Sequence, residues 1–119
     1  MVLVDTSVWI DHFNFGDRDL EILLDENEVA VHLLVIGELA CGNFKNRKLI
    51  LSLLNALPLT REISKDEFFL FLDQHRLFGT GMGFVDVHLL ASALISDCAI
   101  YTRDKALLSS ANKLKIAYK

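Results

Sequence analysis

The sequence predicts an α/β fold with a largely parallel sheet covered on both faces. Three observations point there. Short apolar runs suited to buried strands alternate with longer segments of helical periodicity. No tight hairpin signal joins one strand to the next. Apolar residues make up 52% of the 119 and the net charge is only −4, a composition that folds rather than staying disordered and can bury a sheet from both sides. No Pro/Gly/Ser-rich linker and no internal repeat interrupts the chain, so one domain is expected over residues 1–119.

The elements follow in order. Val2-Leu3-Val4 is a short buried strand, and Thr6 or Ser7 is the expected N-cap of a helix through Val8, Trp9 and Phe13. Residues 18–25 carry Leu20, Leu23 and Leu24 at helical spacing, and Glu28 to Val31 reads as the second strand. A helix from Leu33 to Cys41 stops at Gly42 and Asn43, Lys45 to Asn55 is amphipathic, and Pro58 precedes an extended piece at Leu59. Ser64 and Glu67 have capping-box spacing before the apolar run Phe68 to Leu72. Gly79-Thr80-Gly81-Met82-Gly83 is a flexible turn leading into the most apolar helix, residues 84–96. Ala99 to Tyr101 is a strand, Lys105 to Ala111 a helix, and Ile116 to Tyr118 a last strand.

Several function classes fall away on composition. The longest apolar run falls far short of the roughly 18–20 residues that span a bilayer, so no membrane partner is expected. The start MVLVD lacks a basic segment followed by an apolar stretch, which argues against a signal peptide and for a cytoplasmic protein. Cys41 and Cys98 have no CxxC spacing and read as core residues rather than a disulfide or a zinc site. His12, His32, His75 and His88 show no ligand spacing and read as surface or hydrogen-bonding residues. Trp9 and the stretch Phe68-Phe69-Leu70-Phe71 read as packing, in a core or a dimer interface, before base stacking. A pI near 5.5 is not the basic footprint of a nucleic-acid binder.

The carboxylates say more. Open parallel sheets place their sites at the carboxyl ends of strands. Asp5 directly follows the first strand, and Asp104 follows Tyr101 by three residues. Asp86 opens the apolar helix on the face of Leu89, Leu90, Ala93 and Leu94, while His88, Ser92 and Ser96 turn away. Glu38 shares its helix face with Leu34, Val35 and Cys41, where an apolar residue would stand. The other acids, Asp17 among them, read as solvated charge.

None of these four has its own Lys or Arg on its face. If they converge about 5 Å apart, their mutual repulsion at an effective dielectric near 20 sums to roughly 20 kcal/mol, which a divalent cation would relieve. Oxygen donors without a Cys or His cluster favour Mg²⁺ or Mn²⁺ over Zn²⁺. With Asp5, Glu38, Asp86 and Asp104 set aside, the remaining 12 acids balance the 12 Lys and Arg. Lys45, Arg47 and Lys48 in one stretch, and Arg103, Lys105, Lys113, Lys115 and Lys119 in another, are then candidates for phosphate contacts as well as for ordinary solvated helix faces.

The segments VLVDTSVWIDHF, GELACG, GMGFVDVHLLASAL and YTRDKAL together resemble, in order and approximate spacing, the four acidic motifs of the PIN-domain ribonucleases, and among them the toxins of VapC type. The resemblance covers nearly the whole chain. It implies a three-layer α/β/α sandwich with a five-stranded, mainly parallel sheet. It also implies Mg²⁺-dependent hydrolysis of RNA, tRNA or mRNA, with Mn²⁺ as a substitute, a homodimer, and a cognate antitoxin whose tail occupies the acidic groove. By carry-over, Asp5, Glu38, Asp86 and Asp104 are the metal-binding, catalytic acids. Glu38 is a ligand or the general base, and Thr102 matches the family's hydroxyl two residues before the last acid. Thr6 and Thr102 are further candidates to orient a water, with capping or turn bonding as the alternative for each. Relatives often carry a basic residue in the Gly-rich turn, where Thr80 stands.

Two other phosphoryl chemistries fit less well. A phosphoacceptor receiver domain wants an adjacent acidic pair, but Asp5 is followed by Thr6-Ser7. A haloacid-dehalogenase-like phosphatase needs an Asp at position 7, where Ser7 stands. The non-enzymatic alternative is a catalytically silent PIN-like module that binds RNA or a protein partner; retention of all four acids argues against it.

Overall fold

A computed structural model describes residues 1–119. Three short strands form the sheet: β1 (Val2–Val4), β2 (Val29–Ala30) and β3 (Ala99–Tyr101), all parallel, in the order β2-β1-β3. Leu3 pairs with Ala30 on one side and Ile100 on the other. Successive strand residues point to opposite faces, yet Val2, Leu3 and Val4 are all buried, so β1 is covered on both sides. No helix is long and apolar enough to cross a membrane.

Seven helices supply the cover. These are α1 (Thr6–Phe15), α2 (Arg18–Asp25), α3 (Leu33–Ala40), α4 (Arg47–Asn55), α5 (Lys65–Gln74), α6 (Phe84–Ile95) and α7 (Lys105–Lys113). α1 and α4 pack on α3 and α2 on β2, while α6 packs on β3 and against α5 and α7. The capping box expected at Ser64 is complete, with reciprocal bonds between Ser64 and Glu67 opening α5. At α1, however, the N-cap is Asp5 and not Thr6 or Ser7. Asp5 precedes them by one residue, in extended backbone, and its carboxylate outcompetes both hydroxyls as acceptor.

The expected five strands are reduced to three. Each edge is extended by a single parallel bridge, Val31 with Leu59 and Ile100 with Ala117. The cause is strand length. Backbone groups in a parallel strand face alternate neighbours, and a three-residue strand whose ends pair inward leaves one residue to pair outward. Ile100 accepts from Tyr118 N–H at 2.8 Å and donates to the Ile116 carbonyl at 2.7 Å. Val31 does the same with Thr60 and Pro58, at 3.0 and 2.9 Å.

Other expectations need correcting. Cys98 is buried, but Cys41 is exposed, because α3 ends one residue earlier and releases it. On α6, Ser92 is fully buried and Leu94 is 38% exposed. The polar stripe His88-Ser92-Ser96 packs on other elements instead of facing water: His88 stacks on Phe68 with centroids 4.8 Å apart, and Ser96 Oγ accepts the Arg61 N–H at 3.0 Å. Trp9 is buried as expected; Phe68 is buried while Phe69 is exposed.

His32 is the least expected of these, being 1% exposed. It caps α3: its Nδ1 accepts the Leu34 N–H at 3.0 Å, so Nδ1 carries no proton. Burial holds this imidazole below its ordinary 6.5, with Glu62 opposing and His88 adding to the effect. The folded state therefore binds the proton more weakly than the unfolded chain. Its contribution is complete above pH 6.5 and declines as pH falls toward the folded-state value, no faster than about 1.4 kcal/mol per pH unit. His32→Asn keeps an N-cap acceptor without a titrating group. Thermal melts from pH 8 to 5 are expected to show a shallower loss of Tm for this variant than for the wild-type chain; parallel curves would refute the assignment.

Candidate active site

The carboxyl ends of β1 and β3 meet at one edge, and the chain fastens them together with side chains. Asp5 N–H continues the ladder by donating to the Tyr101 carbonyl at 2.9 Å. Asp5 is buried, with 5% of the residue exposed, and its side chain accepts three hydrogen bonds. Thr6 N–H reaches Oδ1 at 2.8 Å, while the Ser7 and Thr102 hydroxyls reach Oδ2 at 2.8 and 2.7 Å. Thr102 Oγ1 in turn accepts the Asp104 N–H at 3.0 Å, so one hydroxyl joins the two acids. Asp104 caps α7 through Oδ2, which accepts the Leu107 N–H at 3.2 Å.

The other two acids arrive on helices. Glu38 Oε1 accepts the Thr6 hydroxyl at 2.7 Å, which ties α3 to the start of α1. Glu38 is exposed, contrary to the apolar setting its helix face suggested; its neighbour Gly37 and the nearby Cys41 are exposed as well, so this side of α3 opens to solvent. Asp86, in the first turn of α6, accepts the Gly83 N–H through Oδ2 at 3.1 Å. The Gly-rich turn before it rests on α7, where a Cβ at Gly81 would lie 3.6 Å from Ala106 Cβ, and this brings α6 beside Asp104. Gly81 has φ +88°, which only glycine adopts without strain. Thr80 donates its hydroxyl to the Leu77 carbonyl and braces the same turn.

Asp86 feels the other three acids. Burial pushes the Asp86 carboxyl above its ordinary range; the Gly83 N–H pulls it back, and Asp104, Asp5 and Glu38 each push it up. No Lys or Arg forms an ion pair with any of the four, the ion pairs being Met1 with Glu28 and Arg103 with Asp11 and Asp17. Glu38, Asp86 and Asp104 each use one carboxylate oxygen to hold the protein and leave the other without a hydrogen bond. No three Asp, Glu, His or Cys side chains converge tightly enough to enclose a metal ion by themselves.

That arrangement fits a hard divalent cation of a particular kind. Mg²⁺ keeps several waters and binds through one or two carboxylates, so it asks for spaced oxygens rather than a closed cage. An uncompensated set of oxygen donors with free carboxylate oxygens meets this demand.

Sequence reasoning missed part of the support. Ser7 is a donor to Asp5, and its Oγ accepts the Arg103 N–H at 3.1 Å. Asp17, read above as solvated charge, is only 6% exposed. It caps α2 by accepting the Leu20 N–H at 2.8 Å, receives the Tyr101 hydroxyl at 2.9 Å, and pairs with Arg103. Burial pushes its carboxyl up, but the Leu20, Arg103 and Tyr101 hydrogen bonds outweigh that and hold it below its ordinary value. The available signal was Asp17 three residues before Leu20, at the start of a predicted helix. Two of the candidate phosphate-binding cations are also spoken for. Arg103 holds Asp11 and Asp17, and Arg47 donates to the Ala40 and Gly42 carbonyls at the end of α3.

Behind α1 lies an apolar groove of about 470 Å³ between α1, α2 and α4, lined by Trp9, Phe13, Leu24, Ile50 and Leu53. The buried Trp9 indole N–H has no acceptor there.

Comparison with known proteins agrees with this architecture. The PIN domain family model matches residues 2–113. Ribonuclease VapC32 of Mycobacterium tuberculosis, from strains CDC 1551 / Oshkosh and ATCC 25618 / H37Rv, is 42% identical over 98% of this chain and 95% of its own length. The crystal structure of PAE2754 from Pyrobaculum aerophilum superposes with a TM-score of 0.69 at 18% identity, over 98% of this chain and 87% of the other, and shares the fold. On the family model and the near full-length identity, the chain belongs to the PIN-domain family and, within it, to the VapC-type ribonucleases.

Proposed function

We propose that this protein is a divalent-metal-dependent endoribonuclease that hydrolyses RNA phosphodiester bonds, tRNA or mRNA, as the toxin of a toxin–antitoxin pair in the cytoplasm. The observation that carries the reading is the hydrogen-bonded linkage of Asp5 to Asp104 through Thr102 and to Glu38 through Thr6, beside an Asp86 that all three repel, with no protein cation to neutralise them. Asp5 and Asp104, joined through Thr102, and Asp86 across the edge would hold Mg²⁺, or Mn²⁺ in its place. Bound there, the ion would acidify a water and neutralise charge developing on the scissile phosphate.

The protein's own groups do the positioning. Asp5 is fixed by three donors and cannot swing away. Glu38 is solvent-facing and has a free Oε2, which suits it to accept a proton from the attacking water as well as to ligate. Thr6 and Thr102 act one step back: their hydroxyl protons are committed to Glu38 and Asp5, so each orients an acid rather than a water. The antitoxin reading gains support from the groove beside Trp9, an apolar surface lined by side chains of α1, α2 and α4. A homodimer remains the family's implication, and exposed Phe69, Leu70 and Phe84 are apolar surface available for it.

Titrating Mg²⁺ or Mn²⁺ into the EDTA-stripped protein with RNA is expected to restore cleavage from zero in a saturable manner. RNA binding with no cleavage at any metal concentration would favour the silent module instead.

A further inference from the structure

We infer that Arg103 is a positioning residue for the metal site: clamped by two carboxylates away from the acids, it sets the loop that carries Asp104 and from which Thr102 reaches Asp5. The inference rests on the divalent-metal reading of the four acids. Arg103 Nε pairs with Asp11 Oδ2 at 2.8 Å, its Nη2 pairs with Asp17, and its guanidinium lies 5.5 Å from the centroid of the Tyr101 ring. Asp11 belongs to α1, Asp17 caps α2, and Tyr101 ends β3, so one side chain joins three elements. Tyr101 completes the staple by donating its hydroxyl to Asp17, at 3.0 Å to Oδ1 and 2.9 Å to Oδ2.

The backbone of the same residue transmits the constraint. Arg103 N–H donates to Ser7 Oγ at 3.1 Å, and Ser7 donates to Asp5 Oδ2 at 2.8 Å. On one side Thr102 donates to the same Oδ2 at 2.7 Å; on the other side follows Asp104. The tripeptide Thr102-Arg103-Asp104 therefore carries two side chains toward the acids and one away from them. The outward one holds a buried carboxylate and an exposed one in a planar fork. A Lys at this position keeps the charge but cannot form two directed bonds from one rigid group. Loss of the fork frees the loop to rotate about β3 and changes the separation of Asp5 and Asp104.

Mn²⁺ binding to the full-length protein, followed by calorimetry without RNA, reads this directly. Groups that orient metal ligands typically control about 10–100-fold in affinity. Arg103→Lys is expected to weaken Mn²⁺ binding about tenfold, and Asp11→Asn, which removes the exposed partner, to weaken it less. Cleavage by Arg103→Lys is expected to recover wild-type kcat at saturating Mn²⁺ with RNA KM unchanged. Leu54→Val on α4, remote from the clamp, is expected to lower Tm without altering Mn²⁺ affinity. The inference is overturned if the wild type binds Mn²⁺ and Arg103→Lys binds it within twofold as tightly, or if Leu54→Val weakens binding equally. No Mn²⁺ binding by the wild type would instead overturn the metal-dependent nuclease reading on which the clamp rests.

Discussion

Asp86→Asn is expected to leave RNA cleavage at about a thousandth of the wild-type rate, the equivalent of about 4 kcal/mol of transition-state stabilisation. The same variant is expected to melt at or slightly above the wild-type temperature. Its side-chain oxygen can still accept the Gly83 N–H, and the charge it removes is the one that burial, Asp104, Asp5 and Glu38 all oppose. Because Asp86 is only partly buried, the gain is at most about 1 kcal/mol after solvent screening. This pairing of lost activity with retained or improved stability separates a functional acid from a structural one. Asp5→Asn should lose cleavage as fully but destabilise the fold, since an amide cannot accept from Thr6, Ser7 and Thr102 as a carboxylate does. Time courses with excess metal, beside thermal melts, check both. Full metal-dependent cleavage by Asp86→Asn would remove this acid from the site.

The second large effect lies outside the acids. Asp17→Ala is expected to destabilise the protein by about 2–3 kcal/mol, the combined cost of a lost helix cap and of lost hydrogen bonds to a buried carboxylate, and to lower Tm by about 10 °C. It removes the cap of α2, the acceptor of the Tyr101 hydroxyl and one partner of Arg103 together. The pH dependence has a definite sign. The folded-state carboxyl titrates below the ordinary 3.8, so its stabilisation is fully present above that pH and is lost as pH falls through the lower folded value. Acid unfolding of Asp17→Ala should therefore lack a component that the wild type shows below pH 3.8. Identical acid-unfolding curves would contradict the role given to Asp17.

How much of this was legible in the residues depended on which physical signal was local. β1 and β3 were readable because each is a short apolar run with no charged interruption, bounded by turn or cap residues. The positions of Asp5 and Asp104 followed from their place just after those runs. Convergence of the acids, by contrast, depends on how the Gly-rich turn settles on α7, which no local pattern encodes. Glu38 was placed on the right helix but in the wrong environment, since its helix face mixes buried Val35 with exposed Cys41. Ser92 was misread, and the burial of the hydrogen-bonding His32 went unforeseen, because periodicity reports which residues share a face, not whether another element covers that face. Asp17 was passed over for a similar reason: its partners, Tyr101 and Arg103, lie more than 80 positions away in sequence.

The narrowness of the sheet has a bearing on solubility. An open sheet edge with a long row of unsatisfied amides and carbonyls is a template on which other chains add and fibrils grow. Here the stretch around Leu59 on one flank, and that around Ala117 on the other, each pair with their neighbour through a single bridge. Too little straight backbone remains on either side for a second molecule to zip onto, which protects the protein from self-association by strand addition even at high expression.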